Sequence, residues 1–114
     1  MIKINFTKKD GEFTLELTGH AGQAEPGRDI VCAATSILTY TVEQNILNMW
    51  DQGCLKKNPF SLLSCGNGVI ICNPKDDYVR DVENLYNFAQ TGYKLLAENF
   101  PQYVELTTFG KAKA

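Results

Sequence analysis

The stretch IKINFTKKDGEFTLELT, residues 2–18, decides the fold. Ile2, Ile4 and Phe6 alternate with polar residues, and so do Phe13, Leu15 and Leu17. Successive side chains of a strand point to opposite sides, so each set shares one face. Between the two runs sits KKDG, whose Asp10-Gly11 step suits the tight turn joining antiparallel strands. The segment reads as a hairpin with one apolar face, and such a face needs a second layer to cover it.

The rest of the chain supplies that layer. Residues 19–29, GHAGQAEPGRD, hold three glycines and a proline and suit neither helix nor strand. A loop of this length in a small domain often carries function. Residues 30–51 contain no Pro or Gly and are apolar at Val31, Ala34, Leu38, Val42 and Ile46. Ala33, Ile37, Leu47, Met49 and Trp50 widen this stripe, which predicts a largely buried helix. Asp29 is placed to cap its start and Gly53 to stop it. Residues 59–72 predict a second hairpin turning at Gly66-Asn67-Gly68, which sets Cys72 opposite a residue near Leu62. Residues 76–100 predict a second, amphipathic helix ending before Pro101. YVELTTF, residues 103–109, is a candidate last strand. The expected fold is a two-layer α+β domain over residues 1–110. It has an antiparallel sheet covered by two helices, in the order β-β-α-β-β-α(-β), and residues 111–114 form a frayed tail.

Composition narrows the function classes. A chain of 114 residues supports one core, not two. A net charge of −2 and a pI near 5.3 disfavour general binding to nucleic acid, which needs surplus cations. No apolar run approaches the roughly 20 residues that span a bilayer. The alternating start is unlike a signal peptide, so a cytoplasmic location away from membranes is expected. Cys32, Cys54, Cys65 and Cys72 include no C-x-x-C pair, and His20 is the sole histidine. A structural metal site is therefore not expected, nor a cofactor, nor a disulfide in a reducing compartment. Cys54, Cys65 and Cys72 read as structural or incidental thiols.

Cys32 differs in its setting. With Asp29 as cap, it is the third helical residue, among unbonded amides at the positive end of the helix dipole. That position favours thiolate over thiol, and the same amides suit a developing oxyanion. Asp29 opposes the acidification unless it caps the amides or orients His20. A cysteine nucleophile needs a base within hydrogen-bond reach, and His20 is the only imidazole. Strand parity groups His20 with Thr14, Glu16 and Thr18, away from the core face, so a bend at Gly19 is required to bring it to Cys32. Ser36 lies one turn after Cys32 on the same side. It is placed either to bond His20 or substrate, or to bond the Cys32 carbonyl. The residues alone leave two readings open: a catalytic pair, or a loop histidine beside a core cysteine in a non-catalytic binding module. A thiol redox sensor would need a resolving cysteine, and the sequence shows none close to Cys32.

Residues 19–36 resemble the signature of the ribosomal-processing cysteine proteases, the Prp family. The matching residues are Gly19, His20 and Ala21, then Gly27 and Asp29 to Ala33, with Ser36 four past the cysteine. Length and element order also match, so the resemblance spans nearly the whole chain. It implies a cysteine endopeptidase that removes the N-terminal extension of a large-subunit ribosomal protein precursor. His20 would be the base and Cys32 the nucleophile, with Asp29 and Ser36 in support. The loop at residues 21–28, with Gly22, Pro26 and Gly27, would act as a mobile lid over the peptide. The resemblance further implies a homodimer and an apolar groove beside Cys32. Similar proteins occur in phages and prophages, where the implied substrates are capsid or scaffold precursors.

Overall fold

The computed structural model describes residues 1–19, 28–64 and 67–107. His20, Gly22, Pro26, Gly27, Cys65 and the tail at 111–114 lie outside the described residues, as does the side chain of Asp29.

The first hairpin forms as its pattern requires. β1 (Ile2–Lys9) and β2 (Glu12–Thr18) pair antiparallel from Lys9↔Glu12 to Lys3↔Thr18. Asp10 and Gly11 both take positive φ, 53° and 80°, the twist that closes a two-residue turn without splaying the strands. The chain continues through α1 (Arg28–Asp51), β3 (Phe60–Ser64), β4 (Asn67–Cys72), a short 3-10 turn (Asp76–Tyr78), α2 (Val79–Asn99) and β5 (Val104–Thr107).

One five-stranded sheet results, in the order β3-β4-β2-β1-β5. Three neighbouring pairs are antiparallel, and β5 pairs parallel to β1 through Ile2↔Val104 to Asn5↔Thr107. β3 opposes β4 and β4 opposes β2, so β3 runs with β2. β4 likewise runs with β1 and β5. Each helix therefore connects two strands that run the same way, α1 from β2 to β3 and α2 from β4 to β5. A connection between parallel strands has to cross over a face of the sheet.

Both helices cover the apolar face. Ile4, Phe6, Phe13, Leu15 and Ile70 are buried there against Val31, Val42 and Ile46 of α1 and Val82, Tyr86 and Tyr93 of α2. The ring of Tyr86 receives Phe6 and Phe13 edge-on, each at 5.4 Å between centroids. Each such side chain contributes about 1.5–3 kcal/mol on burial. The opposite face keeps Lys3, Glu16 and Thr18 in solvent. Lys8 on β1 pairs with Glu83 on α2 at 2.7 Å, and the Ser61 hydroxyl on β3 donates to Glu43 on α1 at 2.6 Å. These two contacts tie opposite sides of the sheet to the helices.

Three local expectations are corrected. α1 includes Asp29 as its second residue, so Asp29 is not the residue that precedes the helix. The second hairpin pairs Ser64↔Asn67 and Leu63↔Gly68, which puts Asn67 and Gly68 inside β4 and leaves residues 65–66 between the strands. Cys72 consequently lies beyond the end of β3 and opposite Phe13 on β2, not near Leu62, which faces Val69. Finally, α1 is not largely buried. Its covered stripe is Val31, Thr35, Thr39, Val42 and Ile46, while Ile30, Ile37 and Tyr40 are exposed. Two threonines take places that the apolar pattern assigned to Ala34 and Leu38.

Candidate active site

The topology brings five chain segments to one end of the sheet. β2 ends at Thr18, and Gly19 turns the chain away with φ +113°. A Cβ at Gly19 would run into the Met1 carbonyl oxygen, so only glycine fits where the end of β2 lies against the start of β1. The end of β3 and the start of β4 reach the same level, since Leu17 pairs with Gly68 and Gly68 with Leu63. α1 begins above them.

A narrow pocket opens between these segments. Its helix side carries Cys32, Thr35 and Ser36 of α1, with Thr39 and Tyr40 one turn on. Its sheet side is Leu17 of β2, Leu63 and Ser64 of β3, and Asn67 of β4. Cys32 and Ser36 thus share one cavity, as their spacing requires. Cys32 is half-buried and packs against the core on its inner side.

Cys32 is the fifth residue of α1, not the third. In a regular helix its own N–H is spent on the carbonyl of Arg28, and the unbonded amides lie one turn earlier. Helical side chains lean toward the N-terminus and cover the preceding turn. The thiol is therefore still carried toward the positive end of the helix, although its backbone is beyond it.

The pocket wall is braced from behind. The Thr39 hydroxyl donates to the Thr35 carbonyl at 2.7 Å. Its single proton is committed there, so the Tyr93 hydroxyl donates to Thr39 Oγ1 at 2.6 Å. This chain locks the second turn of the site to α2. Burial pushes the Tyr93 phenol up to about 12, so it stays a neutral donor at physiological pH.

The other described cysteines are placed differently. Cys54 and Cys72 are buried and line no part of this pocket. Burial drives the Cys72 thiol up to about 12. The Tyr86 hydroxyl facing its sulfur draws it part of the way back, and Glu12 adds to the rise. Such a thiol is inert near neutral pH. Among the described residues no group of three or more His, Cys, Asp or Glu side chains could hold a metal ion. No helix among them is long and apolar enough to cross a membrane.

Of the residues singled out from the sequence, Cys32 and Ser36 stand in the pocket. His20, Gly22, Pro26 and Gly27 lie outside the described residues, so their placement relative to Cys32 is not described. Sequence reasoning did not reach Thr35, Thr39, Leu63, Ser64 or Asn67. The threonines sat in a stripe read for apolar residues. The hairpin residues join the site only through strand order, which periodicity does not report.

Comparison with known proteins places this geometry in a family. The model of the cysteine protease Prp family matches residues 1–105. No curated protein sequence matches the chain. Among solved structures, the ribosomal processing protease Prp of Staphylococcus aureus in complex with a substrate peptide is similar. Its TM-score is 0.69 at 19% identity, covering 95% of this chain and 99% of that one. SMU.848 of Streptococcus mutans is similar at a TM-score of 0.65 and 29% identity, covering 95% and 93%. The S. aureus protease with a covalently linked product peptide gives 0.64 and 20%, covering 95% and 99%. The chain belongs to the Prp family of cysteine proteases.

Proposed function

We propose that this member of the Prp family removes the N-terminal extension of a large-subunit ribosomal protein precursor, with Cys32 as nucleophile and His20 as base. The observation that carries the reading is the placement of Cys32. It lines a pocket with Ser36 at the head of α1, while Cys54 and Cys72 are buried elsewhere. The S. aureus relative is a ribosomal processing protease with a peptide bound, and that supports a peptide as the substrate class.

The chemistry follows from the residues. His20 takes the Cys32 proton, and the thiolate attacks the scissile carbonyl carbon. The oxyanion is held by donors at the start of α1, where the helix dipole favours negative charge. The intermediate collapses as His20 returns the proton to the leaving amine, leaving a thioester on Cys32. Water, deprotonated by His20, hydrolyses the thioester and frees the thiol. Asp29 and Ser36 support this step by orienting His20 or the peptide, and the loop with Gly22, Pro26 and Gly27 closes over the substrate. The same reading carries a homodimer and a cytoplasmic site of action.

The test is incubation with ribosomal-protein precursors, with a phage capsid precursor as the competing substrate, and mass spectrometry of the products. One cut that releases the N-terminal extension of the ribosomal precursor is expected. Cys32→Ala and His20→Ala should each lower the rate by at least about a thousandfold while circular dichroism shows an intact fold. Full cleavage by Cys32→Ala would sink the assignment.

A further inference from the structure

We propose that the Thr35 hydroxyl is a substrate-binding group, which donates a hydrogen bond to a carbonyl oxygen of the peptide seated beside Cys32. This rests on the reading of Cys32 as the reactive thiol and adds a residue that the family signature does not include.

The argument begins with a group left over. Thr35 is 3% exposed, and its Oγ1 has no hydrogen-bond partner among the described residues. Buried hydroxyls are nearly always paired, because an unmade bond costs the full desolvation of the group. A helical threonine has a ready remedy in the carbonyl four residues back. The other helical threonines use it: Thr39 bonds Thr35, Thr41 bonds Ile37 and Thr91 bonds Asn87. Thr41 and Thr91 do so even though they are exposed and water could serve them. Thr35 is more deeply buried and does not bond Val31 in this way.

Its location supplies the reason. Thr35 lines the pocket that holds Cys32 and Ser36, three residues after the thiol and on the same side of α1. Leu17 and Leu63 face it from the sheet, so a hydrogen bond made there is shielded from water. The pocket's free volume of about 20 Å³ admits one small polar atom, not a ring. A carbonyl oxygen of an extended peptide meets that limit and accepts the proton that Thr35 has free. The brace from Thr39 and Tyr93 holds this turn of α1 in place before the peptide arrives, so little ordering is left to be done on binding.

A purely structural threonine and a substrate-binding one predict opposite pairings of stability and activity. Thr35→Val keeps the shape and removes an unsatisfied buried group. Its melting temperature should equal or exceed that of the unmodified protein. Its kcat/KM on a precursor peptide should fall about tenfold, the effect of one lost neutral hydrogen bond. Thr35→Ser, which keeps the hydroxyl, should recover most of that loss. A Thr35→Val enzyme with unchanged kcat/KM would overturn the proposal, and so would a Thr35→Ser enzyme as impaired as Thr35→Val. The same peptide is also titrated onto Cys32→Ala protein with and without Thr35→Val, which reads binding independently of cleavage. About tenfold weaker binding upholds the role of Thr35 even if Cys32 proves not to be the nucleophile. Equal binding in the two proteins rejects it.

Discussion

Cys32 and Cys72 are the same residue type in one small fold, and the fold gives them opposite surroundings. Cys72 ends β4 inside the core, opposite Phe13 and facing Tyr86, with its thiol pushed up to about 12. Cys32 stands over the first turn of α1, half-buried, in a pocket whose wall includes Ser36, Thr35 and Asn67. One thiol is packed as a hydrophobe and held protonated. The other is half-buried and lines a cavity at the start of α1. The reactivity proposed for Cys32 rests on where the strands and helices end, not on cysteine content.

Exchanging the two sites in mutagenesis separates them most sharply. Cys32→Ala should stop cleavage with little change in the urea midpoint. Cys72→Ala should do the reverse. It should cost about 1–2 kcal/mol of stability through the cavity left under Tyr86, with turnover per folded molecule unchanged. Equal losses of activity in both variants would erase the distinction.

A smaller effect appears in alkali. An unfolded Cys72 loses its proton near its ordinary 9.0, whereas the folded thiol holds it to about 12. The stabilisation from keeping this group neutral is complete below pH 9 and is lost as pH climbs from 9 toward 12. Over that window stability should fall by about 1.4 kcal/mol per pH unit for this group. Tyr93, raised from 10.0 to about 12, adds its own fall above pH 10. Urea titrations at pH 8 and pH 10 should show the drop, and Cys72→Ala should lose the part that begins at pH 9. A Cys72→Ala protein with the full alkaline drop would show that the buried thiol is not its source.

The two regions were also unequally legible in the sequence. Core elements were readable because a strand with one buried face leaves a period of two, as Ile2-Ile4-Phe6 and Phe13-Leu15-Leu17 do. The helix at Cys32 was readable from its length and lack of Pro and Gly, and Cys32 itself from its place near that helix's start. Strand order was not readable. β5 joins β1 in parallel across a helix, and β3 is separated from β2 by β4, so neither pairing is local in sequence. The pocket depends on that order, because Leu63, Ser64 and Asn67 approach Cys32 only when β4 inserts beside β2. Thr35 and Thr39 are hidden in the sequence for a related reason. They lie in the buried stripe of α1, and an apolarity search discounts the polar residues that line a site.

Thiol alkylation mapped by peptide mass spectrometry tests the central claim most directly. Native protein is treated with limiting iodoacetamide at mildly acidic pH, then unfolded and labelled with a heavy analogue. Cys32 is predicted to carry the first label, while Cys54 and Cys72 acquire only the second. Labelling of Cys32 no faster than of Cys54 and Cys72 would contradict the account.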